Sequence, residues 1–205
     1  MQSWKALRAV AVQLLALAGA VSSDTTSPPN QFGLIGPSSV MLFLNGFHFI
    51  SGHLDQILHA NYHCSIMSAD FIQCAVYVPG TNPARLAGVE YIISGPAFEK
   101  YEVTSGLLVE PGMSGNVDKE VMKLLVNTHG KTFHTWRYAS KNNSIPLGIP
   151  EIVNGYTANG QLDDTYVGNR DEIFGLNHTA IRENRSDIVA PPVVDGADSW
   201  KRGFV

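Results

Sequence analysis

The 205-residue sequence is poor in charge and nearly free of cysteine. Charged residues make up 16% of it, with 14 Lys and Arg against 18 Asp and Glu and a formal net charge of -4. No Lys/Arg run occurs. An acidic chain without a basic stripe argues against nucleic acid as a partner, because phosphate binding needs clustered cations. It also argues against adhesion to anionic lipid by charge. No Gly-rich phosphate loop follows an expected strand, and there is no G-x-S-x-G, C-x-x-C or H-E-x-x-H. These absences remove the phosphate cradle, the serine-hydrolase elbow, the redox dithiol and the zincin site. After the N-terminus no apolar run approaches the roughly 20 residues of a membrane span.

What is present starts with a leader. Lys5 and Arg8 precede an apolar stretch from Ala9 to Val21, and Ala18 with Ala20 forms an A-x-A site. That order predicts a signal peptide over 1–22 and an extracellular, secreted protein. The polar, turn-rich segment 23–39 reads as a flexible linker. Cys64 and Cys74 are the only cysteines. In an oxidising compartment such a pair closes on itself; the alternative is two buried thiols. Three N-x-[ST] sequons, at Asn142, Asn177 and Asn184, are candidate glycosylation sites in loop-like contexts.

Apolar patterning predicts strands over 40–49, 71–78, 102–112, 131–138 and 151–157. It predicts helices over 53–64 behind Ser51, over 84–94 behind Asn82-Pro83, and over 117–129 behind Asn116 with Gly130 closing it. The expected fold is α+β. A single compact domain over 40–162 has a mixed or antiparallel sheet and about three helices, and 163–205 forms an extended, peripheral C-terminal arm.

Histidine is the densest polar feature. His48, His53, His59 and His63 fall close together, and His134 stands beside Trp136 on a later strand. Three readings stay open: half-buried structural histidines, a metal site using His48, His59 and His134, or acid–base chemistry. Glu90 and Glu102 sit between apolar neighbours, where each should serve a buried backbone or hydroxyl group.

Seven ordered segments then resemble a known family: NGFHFISG at 45–52, C-x9-C from Cys64 to Cys74, ARLAGVEYIIS at 84–94, YEVTSGLLVEPG at 101–112, HGKTFHTW at 129–136, IPLGIP at 145–150 and ANGQL at 158–162. They are similar to the plant oil body-associated proteins and their fungal and bacterial relatives, over about residues 40–162. The resemblance implies association with seed oil bodies in the plant members and no established reaction or cofactor. The family's G-F-H-F falls on Gly46–Phe49, and its K-T-Y/F-H-x-W on Lys131–Trp136. Its usual E-x-H-H-Y/F-C is altered, with Asn61 and Tyr62 replacing the His pair. The leader marks a secreted, fungal-type member. The expected role is therefore a secreted, non-catalytic protein binding a lipid or other small apolar or amphipathic ligand through His48, His134 and Trp136. The alternative is a small metal-binding protein or enzyme using the histidines.

Overall fold

The computed structural model describes residues 42–95, 100–138 and 145–189. The leader, the linker, Asn142 and the last part of the expected arm lie outside these residues. The elements are β1 (Leu42–Ile50), β2 (His53–Ser68), β3 (Phe71–Val78), β4 (Arg85–Ser94), α1 (Lys100–Ser105), α2 (Gly115–Leu125), β5 (Thr128–His134), β6 (Glu151–Gly155), α3 (Asp164–Phe174) and α4 (His178–Asn184). The six strands form a closed antiparallel barrel in chain order, with β6 returning to pair with β1. The fold is thus α+β with an antiparallel sheet, as the patterning indicated.

Two expected helices are strands. Leu54, Ile57, Leu58 and Tyr62 have helical spacing, yet 53–64 lies within β2. Leu58, Ala60, Tyr62 and Cys64 are buried and alternate with less buried residues, the period-2 pattern of a strand. Two neighbouring strands pair with it, β1 through a tight turn at Ser51-Gly52 where Gly52 has φ +83°. Residues 84–94 form β4 for the same reason: Gly88, Glu90 and Ile92 are buried while Val89, Tyr91 and Ile93 face out. Gly88 is required there, because a Cβ would collide with the Phe133 carbonyl of β5.

The segment expected as a strand over 102–112 begins instead as α1, and only Val109 pairs, with Asn45. The helix α2 forms where expected, but Ser114 caps it by accepting the Val117 N–H at 3.4 Å. Gly130 lies inside β5 instead of ending α2.

The barrel interior is closed at one end by α2. Val121, Met122 and Leu125 pack there on Leu42, Leu44, Tyr62 and Val76. Tyr138 packs at the other end against Ile50, Leu58 and Val153. Outside β1, Phe47 and Phe49 are covered by Tyr156, Leu162 and Val167. Residues 163–189, expected as an extended arm, are two short helices pinned by arginine. Arg170 and Arg185 are 0% and 1% exposed and bond to the carbonyls of Gly106, Leu107, Val103 and Leu108. Acids, amides and glycine hid this segment from a reading of apolar periodicity, since its anchors are cations.

Cys64 and Cys74 face each other in register on β2 and β3 and form a disulfide within the buried core. Closing this short loop should be worth about 2–3 kcal/mol. A Cys64→Ala/Cys74→Ala variant is expected to lose that amount in urea denaturation. Native protein should take up no alkylating reagent, and denatured, reduced protein two equivalents, by intact mass.

Candidate functional site

Partners across antiparallel strands share a face, so the register assigns the interior. One row runs Tyr62, Val76, Gly88, His134, and another runs Cys64, Cys74, Glu90, Thr132, Val153, Ile50. His48, opposite Leu58 and Gly155, belongs to the same face. The interior of the barrel is therefore apolar with a polar strip of His48, Tyr62, Glu90, Thr132 and His134.

The strip is mostly self-satisfied. The Tyr62 hydroxyl and His48 Nδ1 share a hydrogen bond of 2.9 Å. Thr132 donates to Glu90 Oε1 at 2.7 Å. Glu102 reaches in beside β6 and accepts the Tyr156 N–H at 3.3 Å. Gly155 makes room for it, because a Cβ there would lie 2.5 Å from Glu102 Oε2. His134 differs. It is 2% exposed, its ring stacks on Tyr138 at 5.3 Å, and neither ring nitrogen has a hydrogen-bond partner among the described residues. Burial, then repulsion from His134, pushes the His48 pKa down to about 3. Burial pushes that of His134 down to about 4, with the Glu151 carboxylate acting the other way. Both rings are neutral at physiological pH.

Space decides what this strip can hold. The cavity beside His48, Tyr62, Glu90 and Glu102 measures about 10 Å³. That is room for about one water molecule, whereas ligand pockets run from roughly 300 Å³ upward. The space at this one cavity is too small for a lipid tail. Trp136, the third expected ligand residue, lies past the end of β5. Its indole donates to the Leu86 carbonyl at 2.9 Å, and Arg85 lies over its ring.

His59 is on the opposite, outer face of the sheet from His48 and His134. It stacks on Phe47 at 4.6 Å and bonds to Asn45. Burial, then the Arg170 charge, holds its pKa down at about 4. His63 is also outside, against Phe43 and Tyr77. The candidate metal set is thus divided by the barrel wall. Among the described residues no group of three or more His, Cys, Asp or Glu side chains could share an ion. The sequon residues Asn177 and Asn184 are exposed. Both serve the fold, Asn177 as the cap of α4 and Asn184 as a donor to the Gly115 carbonyl.

The outer face of β4 and its neighbours was not anticipated. Leu86, Val89, Tyr91 and Ile93 on β4 and Ile152 on β6 are large, apolar and exposed. Val89, Phe133 and Ile152 line up across β4, β5 and β6. The signal was in the sequence, as the odd-numbered half of the alternation in VEYII, and the helical reading of 84–94 concealed it.

Residues 36–189 match the family model described as "Protein of unknown function (DUF1264)". The chain belongs to this family. The match runs past residue 162 and takes in both arginine-pinned helices. Related DUF1264 chains include "Oil body-associated protein 1A" of Zea mays, 30% identical over 75% of this chain and 70% of its own length. "Oil body-associated protein 1B" of Arabidopsis thaliana is 27% identical, over 72% of this chain and 66% of its own. "Oil body-associated protein 2B" of Arabidopsis thaliana is 32% identical, over 66% and 61%. Roughly two thirds of each relative's length is matched. No solved structure matches this chain. The expectation of an extracellular protein is corrected by these relatives, which are named for association with oil bodies and not for secretion. The extracellular reading rested on the order of charge, apolar stretch and small residues at the N-terminus. The relatives are plant proteins, so the fungal type gains no support. No helix among the described residues is long and apolar enough to cross a membrane.

Proposed function

We propose that this protein is a binding protein that attaches to a lipid surface through the outer face of β4, β5 and β6. The observation that carries this reading is the run of exposed Leu86, Val89, Tyr91, Ile93 and Ile152 on one side of a closed barrel. Contiguous exposed apolar surface on a folded domain marks a place of attachment. The small size of the cavity beside His48 favours a surface over a lipid ligand enclosed there. The names of the relatives supply the chemistry of the partner, an oil body. The metal-binding alternative has no ligand cluster among the described residues to stand on.

Flotation with phosphatidylcholine-coated triacylglycerol droplets tests it. Full burial of an apolar side chain contributes about 1.5–3 kcal/mol, so removing two half-exposed ones should weaken attachment at least ~10-fold. The Tyr91→Glu/Ile93→Glu variant is expected to remain in the aqueous phase and to melt within a few degrees of the parent. Wild-type protein that fails to float, or a variant that floats equally well, overturns the proposal.

A further inference from the structure

The loop between the end of β5 and β6 carries the sequence Ile145-Pro146-Leu147-Gly148-Ile149-Pro150. Its three large apolar side chains are 57%, 63% and 79% exposed, the last being among the most exposed apolar residues described. No charged residue occurs within these six positions. We infer that residues 145–150 are an insertion element, which enters the acyl region of a zwitterionic phospholipid layer and holds the protein there by apolar contact instead of by charge. The inference rests on the lipid-surface reading above and specifies how that surface is engaged.

Burying backbone in hydrocarbon is opposed by unsatisfied N–H groups. This loop carries few. Pro146 and Pro150 have none, and the Leu147 N–H donates to the Ile145 carbonyl at 2.8 Å. The two proline rings and that internal bond also limit the loop's freedom before contact, so little ordering entropy is lost on insertion. Gly148, at φ +103°, makes the turn that separates Leu147 from Ile149.

The surroundings fit a neutral partner. At the base of the loop Glu151 takes two hydrogen bonds from Arg137, so this cation and this anion neutralise each other. Lys131, on the outer face of β5, lies over the Phe133 ring at 5.2 Å. Both cations have partners within the protein, the Glu151 carboxylate and the Phe133 ring. Ile152 directly follows the loop's base and lines up with Phe133 and Val89. Residues 145–150 therefore lead in the chain directly toward the apolar face.

The test uses Leu147→Cys carrying an environment-sensitive fluorophore. Cys64 and Cys74 are joined, so position 147 offers the sole reactive thiol. On mixing with phosphatidylcholine-coated triacylglycerol droplets the emission should shift to the blue. Attachment should change less than about two-fold when the Debye length is shortened from roughly 10 Å to about 3 Å by salt. Leu147→Asp/Ile149→Asp should attach at least ~10-fold more weakly, with an unchanged melting temperature, as its side chains face solvent. If droplets bind while the fluorophore stays in water, and only Tyr91→Glu/Ile93→Glu abolishes binding, insertion is wrong and the lipid-surface reading stands. Binding that needs anionic lipid and disappears in salt also overturns insertion. Absence of any binding by the wild type overturns both.

Discussion

Replacing Arg185 by Ala should lower folding stability by about 3–5 kcal/mol, the usual cost of breaking a buried ion pair on one side. The Arg185 guanidinium contacts Asp118 through three bonds of 2.6 to 3.2 Å. It also donates to the carbonyls of Val103 at 2.7 Å and Leu108 at 2.8 Å. Truncation leaves the Asp118 carboxylate buried with the Glu110 N–H as its remaining partner among these bonds, and strips both carbonyls of this donor. The turn after α1, the start of α2 and the end of α4 meet at this one side chain. Arg185→Lys should recover only part of the loss, since an ammonium cannot reproduce the planar fork. Arg182→Ala, one turn earlier on the exposed side of α4, should stay within about 0.5 kcal/mol of wild type. Urea denaturation of the three variants is the measurement. A loss below about 1 kcal/mol for Arg185→Ala would mean that α4 is held by something else.

Acid should destabilise the protein steeply, and His134 should account for a separable part of the effect. In the unfolded chain each histidine takes up its proton near pH 6.5. In the folded chain His48 resists protonation down to about pH 3, and His59 and His134 down to about pH 4. The folded pKa is depressed, so the unfolded state binds more protons between these limits and stability falls as pH falls below about 6.5. Glu110 works against this. Burial and the nearby Asp118 charge raise its pKa to about 7, so its contribution is lost as pH rises from about 4.5 toward 7. Three imidazoles against one carboxyl leave two proton equivalents from these four groups. Each is worth about 1.4 kcal/mol per pH unit. His134→Phe should flatten the pH profile by one equivalent, about 3 kcal/mol between pH 6.5 and pH 4. At pH 7 the variant should be no less stable than wild type, because it removes two unpartnered ring nitrogens from the interior. Parallel pH profiles for the two proteins would show that His134 is solvated.

Where the apolar pattern had one interpretation, sequence and structure agree. FIQCAVYV has strand formers at nearly every position and becomes β3, and VDKEVMKLL has one apolar stripe and becomes most of α2. In HLDQILHANYHC two periods coexist. Leu54, Leu58 and Tyr62 satisfy a helix, and Leu58, Ala60, Tyr62 and Cys64 satisfy a strand. Tertiary pairing with β1 and β3 chose the second. The same ambiguity in RLAGVEYII hid the exposed row that now carries the proposed function. His48 and His134 were legible as strand residues beside aromatics, as was the service of Glu90 to a hydroxyl. The small size of the cavity beside His48 was not legible, because it depends on how α2 and Tyr138 pack on the strands. The placement of His59 outside the wall follows from a one-residue alternation that a helical reading erases.

The closure of the barrel carries a kinetic consequence. β1 to β4 are joined by short turns, and each of these hairpins brings together neighbours in the chain. β6 meets β1 and β5 through only three residue pairs on each side. Its pairing with Ile50 closes a loop of roughly 100 residues. Local hairpins form first when long-range closure is entropically expensive. The chain should therefore pass through a curled, four-stranded trough before it becomes a tube. In the trough His48, Glu90 and the cysteine pair are still open to water. Removal of water from the polar strip waits for the last and narrowest seam, so the slow step of folding and the drying of the interior are one event.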